Sequence, residues 1–143
     1  MSDKWDQRAL DMAALVASWS KDPSTKVGAV IMRPDKTIAS VGYNGLPQGV
    51  ADDGRLEDKT WKHAVVRHAE ENALAFAREP LQGYMLAVTP LHPCSRCAGA
   101  IIQAGISRVV YTMPVEREPW SLNSIIAVDI LREAGVEVSG VVR

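Results

Sequence analysis

The amino-acid sequence predicts one α/β domain with a mixed five-stranded sheet covered by helices. Its 143 residues are 47% apolar and 23% charged, the balance of an ordinary soluble domain. Two β-rich runs joined by a short turn indicate an antiparallel hairpin near the start of the chain. In the second half, helical and extended patterns alternate, which is typical of parallel strands joined by right-handed crossovers. We therefore expect residues 1–143 to form a single domain.

The first predicted elements are a helix and the hairpin. Apolar residues recur at steps of four and three over residues 5–19, which predicts an amphipathic helix that Pro23 ends. The strands of the hairpin are predicted at residues 27–32 and 37–43. Residues 44–60 are rich in glycine and charged residues, so we expect a long ordered loop that can cover a pocket.

The remaining elements alternate between helices and strands. A helix is predicted from His63 or His68 to Glu79, because Pro80 cannot continue it. Pro93 suits the first position of the next helix. The predicted elements after Pro80 are a strand at 84–89, a helix from Pro93 to a cap at Gly105, a strand at 108–112, a helix at 124–134 followed by Gly135, and a strand at 136–142.

Charge and cysteine content argue against several partners and compartments. With 16 basic and 17 acidic side chains, the net charge of −1 gives no overall attraction to nucleic acid or to an anionic membrane. The charged opening segment lacks the apolar core of a secretion signal, and no apolar run is long enough to span a bilayer. Two closely spaced cysteines do not form the framework of a secreted disulfide protein. We expect a cytoplasmic protein that binds neither nucleic acid nor membrane.

Two short motifs carry the candidate catalytic residues. His68 and Glu70 lie near one predicted helix start, and Cys94 and Cys97 lie at the start of the next helix. Because the cysteines are three residues apart, both sulfurs project to one side of the first turn, where the helix N-terminus favours thiolates. Two thiolates and an imidazole favour zinc, and three protein ligands leave the fourth tetrahedral position to water. Zinc lowers the pKa of that water toward about 7, and Glu70 is placed to move its protons.

Other interpretations of these residues remain open. Cys94 and Cys97 are compatible with a redox pair of the thioredoxin type, although that would leave His68 and Glu70 unexplained. His68 taken alone is compatible with a core histidine. His92 is compatible with a substrate contact or with a fourth ligand that closes the site, and the metal would then be structural, as in a non-catalytic zinc module.

The motif H-x-E followed by P-C-x-x-C is the signature of zinc-dependent nucleobase deaminases. Further segments extend it along nearly the whole chain: DPSTKVGAVI at 22–31, VGYNGLPQG at 41–49, HAEENA at 68–73 and CAGAIIQAGISRVVY at 97–111. On these segments the chain resembles the cytidine and deoxycytidylate deaminase superfamily, and within it the zinc-dependent deoxycytidylate (dCMP) deaminases. The resemblance implies a three-layer α/β/α fold of the cytidine deaminase type, with Zn²⁺ held by His68, Cys94 and Cys97.

The reaction that the resemblance implies is hydrolytic deamination of dCMP to dUMP and ammonia, a step of pyrimidine deoxynucleotide metabolism. A zinc-activated water attacks C4 of the cytosine ring while Glu70 protonates N3, and Glu70 then passes a proton to the departing ammonia. The resemblance further implies a homo-oligomer, either a hexamer or a dimer, with dCTP as an activating and dTTP as an inhibiting allosteric effector.

The resemblance also assigns substrate contacts outside the metal centre. Asn44 would hold the nucleotide, Ala69 and the backbone at Ala29 would line the base pocket, and Ser24 and Lys26 would lie near the phosphate. From the residues alone, Asn44 is also compatible with a turn position of positive φ, and Lys26 with a solvated charge.

The chain departs from better known members of the superfamily at several positions. Val50 stands where many carry cysteine, and His92 stands where a small or apolar residue is usual. The sequence holds no second set of cysteine and histidine ligands for a structural zinc. Trp61 and Trp120 are candidates for the border of the pocket, whereas His63 is expected in a loop or at a helix start.

Related deaminases are the alternative functions. tRNA adenosine deaminases share H-A-E, P-C-x-x-C and C-A-G-A with this sequence, but their polyanionic substrate requires a basic face that a net charge of −1 does not supply. Nucleoside and free-base deaminases remain alternatives, because one lysine does not establish a phosphate site.

Overall fold

A computed structural model describes residues 3–113 and 121–143 and contains a mixed β-sheet. Its strands are Gly28–Met32 (β1), Ile38–Tyr43 (β2), Met85–Thr89 (β3), Arg108–Met113 (β4) and Glu137–Val142 (β5). They lie in the order β2-β1-β3-β4-β5. β1 is antiparallel to β2 and β3, whereas β3, β4 and β5 are parallel to one another. The predicted sheet, with its antiparallel first hairpin and parallel later strands, is confirmed.

Helices cover both faces of this sheet. They are Lys4–Ala17 (α1), Lys59–Val65 (α2), Ala69–Phe76 (α3), Ser95–Gln103 (α4) and Leu122–Glu133 (α5). The buried residues of α1 pack with Val30 and Met32 of β1, while α3, α4 and α5 pack with Ala29 and Ile31 on the opposite face. Because neighbouring strand residues point to opposite faces, the result is the predicted three-layer α/β/α fold. Among the described helices, none has the length and apolar character needed to cross a bilayer.

The helix predicted to start at His63 or His68 starts at the second position, because His68 is the N-cap of α3, and a continuous helix from His63 is wrong because α2 and α3 are separate. α2 and α3 are separated by extended residues, of which Arg67 forms an antiparallel bridge with Gly45. The Arg67 amide donates to the Gly45 carbonyl at 2.9 Å, and the Gly45 amide donates to the Arg67 carbonyl at 3.1 Å, so this backbone cannot also serve a helix. α3 ends at Phe76 because Ala77 is extended. α2 lies partly within the segment predicted as a loop, and Asp58 caps it.

Helix ends differ from the sequence prediction by a few residues. α4 begins at Ser95 and not at Pro93, because Cys94 is the N-cap and its Sγ accepts from the Cys97 amide at 3.4 Å. α1 ends at Ala17, before the predicted residue 19, and α5 begins two residues early at Leu122. The predicted cap glycines after α4 and α5 are confirmed, with φ of 84° at Gly105 and 87° at Gly135.

The α1 layer approaches the sheet closely at Gly28. A Cβ atom at this position would overlap the Ala13 carbonyl oxygen and would lie 2.5 Å from the Ala17 amide nitrogen. Since both neighbours are backbone atoms, they cannot move aside without shifting the helix. Glycine at the start of β1 therefore allows the backbone of α1 to pack directly against this strand.

We expect Gly28→Ala to lower the free energy of unfolding by about 2 to 3 kcal/mol through overpacking, measured by urea denaturation. Gly99→Ala is the matched control, because nothing lies within 4 Å of a Cβ placed there. As an interior residue of α4 it should gain about 0.5 to 1 kcal/mol from its higher helix propensity. Equal urea midpoints for the two variants would contradict this account of the α1 contact.

Candidate active site

The side chains of His68, Cys94 and Cys97 meet where two helices begin. His68 is the N-cap of α3, Cys94 is the N-cap of α4, and Cys97 lies in the first turn of α4. Nδ1 of His68 lies 3.3 Å from Sγ of Cys97 and 3.5 Å from Sγ of Cys94. One ligand atom from each residue lies within 4.8 Å of the other two. The structure therefore brings together the three residues that sequence reasoning selected.

The donor set and its spacing fit zinc. In a tetrahedral site with ordinary zinc–nitrogen and zinc–sulfur bonds, a ligand nitrogen and a ligand sulfur lie about 3.5 Å apart. The His68 nitrogen lies 3.3 and 3.5 Å from the two sulfurs. Within residues 3–113 and 121–143, the group of close metal-binding atoms contains these three residues and not His92. A closed site with His92 as fourth ligand is therefore not the arrangement that the described residues form.

The two cysteines of the centre have pKa values shifted in opposite directions in the protein without a metal ion. A hydrogen bond from the Cys97 thiol, reinforced by His68, lowers the pKa of Cys94 to about 3. The same hydrogen bond, together with burial, raises the pKa of Cys97. The hydrogen bond to Cys94 raises the pKa of His68. Cys94 is thus a thiolate, and a cation entering the centre meets a negative sulfur.

Glu70 is a buried carboxyl group beside this centre. It is the second residue of α3 and only 4% exposed. Burial raises the pKa of Glu70 from 4.5 to about 7, because the charged form is poorly solvated there. Its neighbour Glu71 instead accepts from the His68 amide at 3.1 Å and pairs with Arg67 at 2.5 Å. Glu71 therefore caps the helix, whereas Glu70 lines the cavity described next.

A cavity of about 560 Å³ opens in front of His68 and Glu70. Ser24, Asn44 and Ala69, which the resemblance assigns to substrate binding, line it. Ala29 does not line it and lies fully buried in the core. Lys26 is exposed and is likewise not a lining residue. The structure thus gathers three of the five predicted substrate residues around the cavity.

Asn44 has a structural role within this wall. Its Oδ1 accepts from the Val27 amide at 2.9 Å, and its Nδ2 donates to the Thr25 carbonyl at 2.8 Å. Among the described residues, the non-glycine residue with positive φ is Lys36, so the turn interpretation of Asn44 is not supported. Asn44 fixes the backbone that enters β1 and borders the cavity.

The other candidates from the sequence are placed as follows. His92 lines the cavity, its Nδ1 lies 2.9 Å from the Pro93 carbonyl oxygen, and its ring meets the Tyr111 ring edge to face. His63 lines the cavity from α2. Trp61 stacks under the guanidinium of Arg55, 4.2 Å from the ring centre, and is not a lining residue. Trp120 lies outside the described residues.

Sequence reasoning missed a buried ion pair in the cavity wall. Nζ of Lys62 donates to Oδ1 of Asp22 at 2.7 Å, and the side chains are 9% and 5% exposed. The same carboxylate oxygen accepts from the amides of Ser24 at 2.8 Å and Thr25 at 3.1 Å. The Asp-Pro-Ser-Thr run is a signal for this turn. Its partner lies 40 residues away on a helix that the sequence did not predict.

Comparisons with known proteins agree with this geometry. A family model described as the cytidine and deoxycytidylate deaminase zinc-binding region matches residues 3–113. A protein of Aliivibrio fischeri described as an uncharacterized deaminase is 45% identical over 141 residues, covering 97% of this chain and 95% of its own. Mouse deoxycytidylate deaminase is 39% identical over 115 residues, covering 76% of this chain and 64% of the mouse protein. This chain therefore spans less than two thirds of the mouse relative.

A solved structure extends the likeness to the whole fold. The dCMP deaminase of cyanophage S-TIM5, in complex with dCMP and dUMP, aligns with a TM-score of 0.76 at 28% sequence identity and covers 99% of each chain. The predicted zinc-dependent deaminase is confirmed by the family match, whose zinc-binding region contains His68, Cys94 and Cys97. The chain belongs to the cytidine and deoxycytidylate deaminase family.

Proposed function

We propose that the protein deaminates dCMP to dUMP and ammonia in pyrimidine deoxynucleotide metabolism. The observation that carries this proposal is the three-donor centre of His68, Cys94 and Cys97 beside the buried carboxyl of Glu70, at the wall of a cavity. Relatives named deoxycytidylate deaminase, from mouse and from phage T4, support the choice of substrate. So does the S-TIM5 enzyme with dCMP and dUMP bound.

His68, Cys94 and Cys97 would hold the zinc ion and leave one coordination position for solvent. When bound, zinc lowers the pKa of a bound water toward about 7 and so supplies a nucleophile at neutral pH. Glu70 takes a proton onto its carboxylate from the attacking water and delivers it to N3 of the cytosine ring. Glu70 then takes the proton of the new hydroxyl group at C4 and passes it to the amino group, which leaves as ammonia while C4 becomes the carbonyl carbon of the product.

Burial makes Glu70 a carboxyl group that holds a proton readily. In the protein without zinc, burial raises the pKa of Glu70 to about 7, and a general acid–base group works best when its pKa lies near the operating pH. Ser24, Asn44 and Ala69 line the cavity and are the substrate contacts that we propose. A purely structural zinc module would not need a buried carboxyl at the metal, because burying it destabilises the fold.

We further propose that residues 1–143 act as one deaminase domain in the cytoplasm and that the protein is a dimer or hexamer regulated by dCTP and dTTP. The resemblance supports regulation and assembly. Assembly is also supported by exposed apolar side chains on α5: Leu122 is 73% exposed, Ile125 45% and Ile126 42%. Apolar side chains that adjoin on one helix are typical of an interaction surface.

We expect Glu70→Gln to lower kcat for dCMP by about 10²- to 10⁴-fold while zinc content stays unchanged, because the amide keeps the shape but cannot carry a proton. Ammonia release and metal analysis of the purified protein measure the two effects. Glu71→Gln is the matched control, since glutamine also serves at this capping position. Unchanged turnover in Glu70→Gln would refute the proton transfer, and a stable disulfide without zinc in the wild-type protein would favour the redox alternative.

The burial of Glu70 also predicts how the metal-free protein responds to pH. The unfolded carboxyl ionises near 4.5 and the folded one near 7, so the folded state binds the proton more tightly. The free energy of unfolding should therefore fall by about 3 kcal/mol as pH rises through this window. Glu70→Gln, unfolded with urea in the presence of a chelator, should lack this decrease. A constant difference between the variant and wild type from pH 4 to 8 would contradict it.

A substrate panel separates the alternatives within the family. We expect dCMP to be among the best substrates when ammonia release is compared for dCMP, CMP, dCTP, deoxycytidine and cytosine at equal concentration. Adenosine deamination in a tRNA anticodon arm should be undetectable, because the chain has no overall positive charge to bind a polyanion. A preference for the free base or for tRNA would place the chain in another branch of the family.

A further inference from the structure

α2 forms a wall of the cavity that contains His68 and Glu70, and the side chains of this wall are basic. Lys59, Lys62 and His63 all line the cavity. Lys59 and His63 are four residues apart and exposed, which places them one turn apart on the same face of the helix. Side chains at this spacing can reach one common anion.

The positive charge of Lys62 is neutralised by an ion pair with Asp22. Its Nζ lies 2.7 Å from Oδ1 of Asp22, and both side chains are buried. Burial opposes ionisation of Asp22, but the hydrogen bonds from Lys62 and from the Ser24 and Thr25 amides outweigh it and lower the pKa of Asp22. Lys62 is therefore a positioning residue that ties α2 to the turn at Ser24 and Thr25.

The other two basic side chains of the wall, Lys59 and His63, have no acidic partner of this kind among the described residues. Within residues 3–113 and 121–143, no ion pair joins Lys59 or His63 to an acidic side chain. In the part of the chain that the structure describes, the acidic residues that line the cavity are Asp22, which pairs with Lys62, and Glu70, which lies two residues after His68 in the sequence. Asp58, just before α2, accepts from backbone amides of the helix. The α2 wall therefore offers positive charge to whatever enters the cavity.

We propose that Lys59 and His63 bind the 5′-phosphate of the nucleotide, with the hydroxyl groups of Ser24 and Thr25 as further donors. This inference rests on the proposed function and specifies which residues make the substrate a monophosphate. A phosphate monoester carries close to two negative charges at neutral pH and accepts charge-assisted hydrogen bonds. Lys26, which the resemblance places near the phosphate, is exposed and does not line the cavity.

The test compares substrates with and without phosphate. Lys59→Ala, His63→Ala, the double variant of these two residues and Lys26→Ala are assayed on dCMP and on deoxycytidine. Lys4→Ala on α1 is the matched control, because α1 packs on the face of the sheet opposite α3 and α4. We expect kcat/KM for dCMP to fall about 10- to 100-fold in the double variant, the usual loss for charge-assisted bonds, and deoxycytidine to change less than about twofold. Lys59→Arg should recover most of the loss caused by Lys59→Ala.

A binding measurement keeps the test independent of turnover. Calorimetric titration measures the affinity of each variant for dUMP and for deoxyuridine, and the ratio of the two affinities gives the contribution of the phosphate. This ratio should fall most in the double variant and stay unchanged in Lys4→Ala. Equal losses for both ligands, wild-type behaviour of the double variant, or a selective loss confined to Lys26→Ala would each overturn the inference. If the wild-type protein releases no ammonia from either substrate, the proposed function fails, and the dUMP to deoxyuridine ratio still decides whether α2 binds phosphate.

Discussion

The site depends on the meeting of two helix N-termini at one point above the sheet. His68 and Cys94 are the N-caps of α3 and α4, so each side chain leaves its helix at the end where backbone amides are unpaired. The positive end of the helix dipole favours a thiolate at Cys94. Small residues make this approach feasible, because Ala69, Ala73 and Ala98 are fully buried where α3 and α4 contact the sheet and one another.

Adjacent glutamates at the start of α3 have separate roles. Glu71 caps the helix and pairs with Arg67, so it stabilises the local fold. Glu70 is buried at a cost in folding free energy, since its carboxyl would be charged in the unfolded chain at neutral pH. The fold compensates with an apolar core that fills both faces of the sheet. A reactive group and the residue that supports it thus occupy successive positions.

Local patterns were sufficient to predict the sheet and the metal donors, because both depend on spacing along the chain. The hairpin, the cap glycines Gly105 and Gly135, and the pair Cys94 and Cys97 are all short-range signals. What the sequence could not reveal depends on distant partners. The break between α2 and α3 follows from the Gly45 bridge to Arg67, and the cavity wall follows from Asp22 and Lys62, 40 residues apart. The predicted start of α4 at Pro93 differs from the observed start at Ser95, because the Sγ atom of Cys94 accepts from the Cys97 amide and makes Cys94 the N-cap.

The bond between Asp22 and Lys62 bears on substrate selection. It anchors α2 to the turn before β1, whereas the metal donors belong to α3 and α4. Exposed side chains on α2 are therefore separate from the residues that would hold the metal. With the phosphate role proposed for Lys59 and His63, substitutions on the exposed face of this seven-residue helix would change which nucleotide is accepted and leave the donor centre in place.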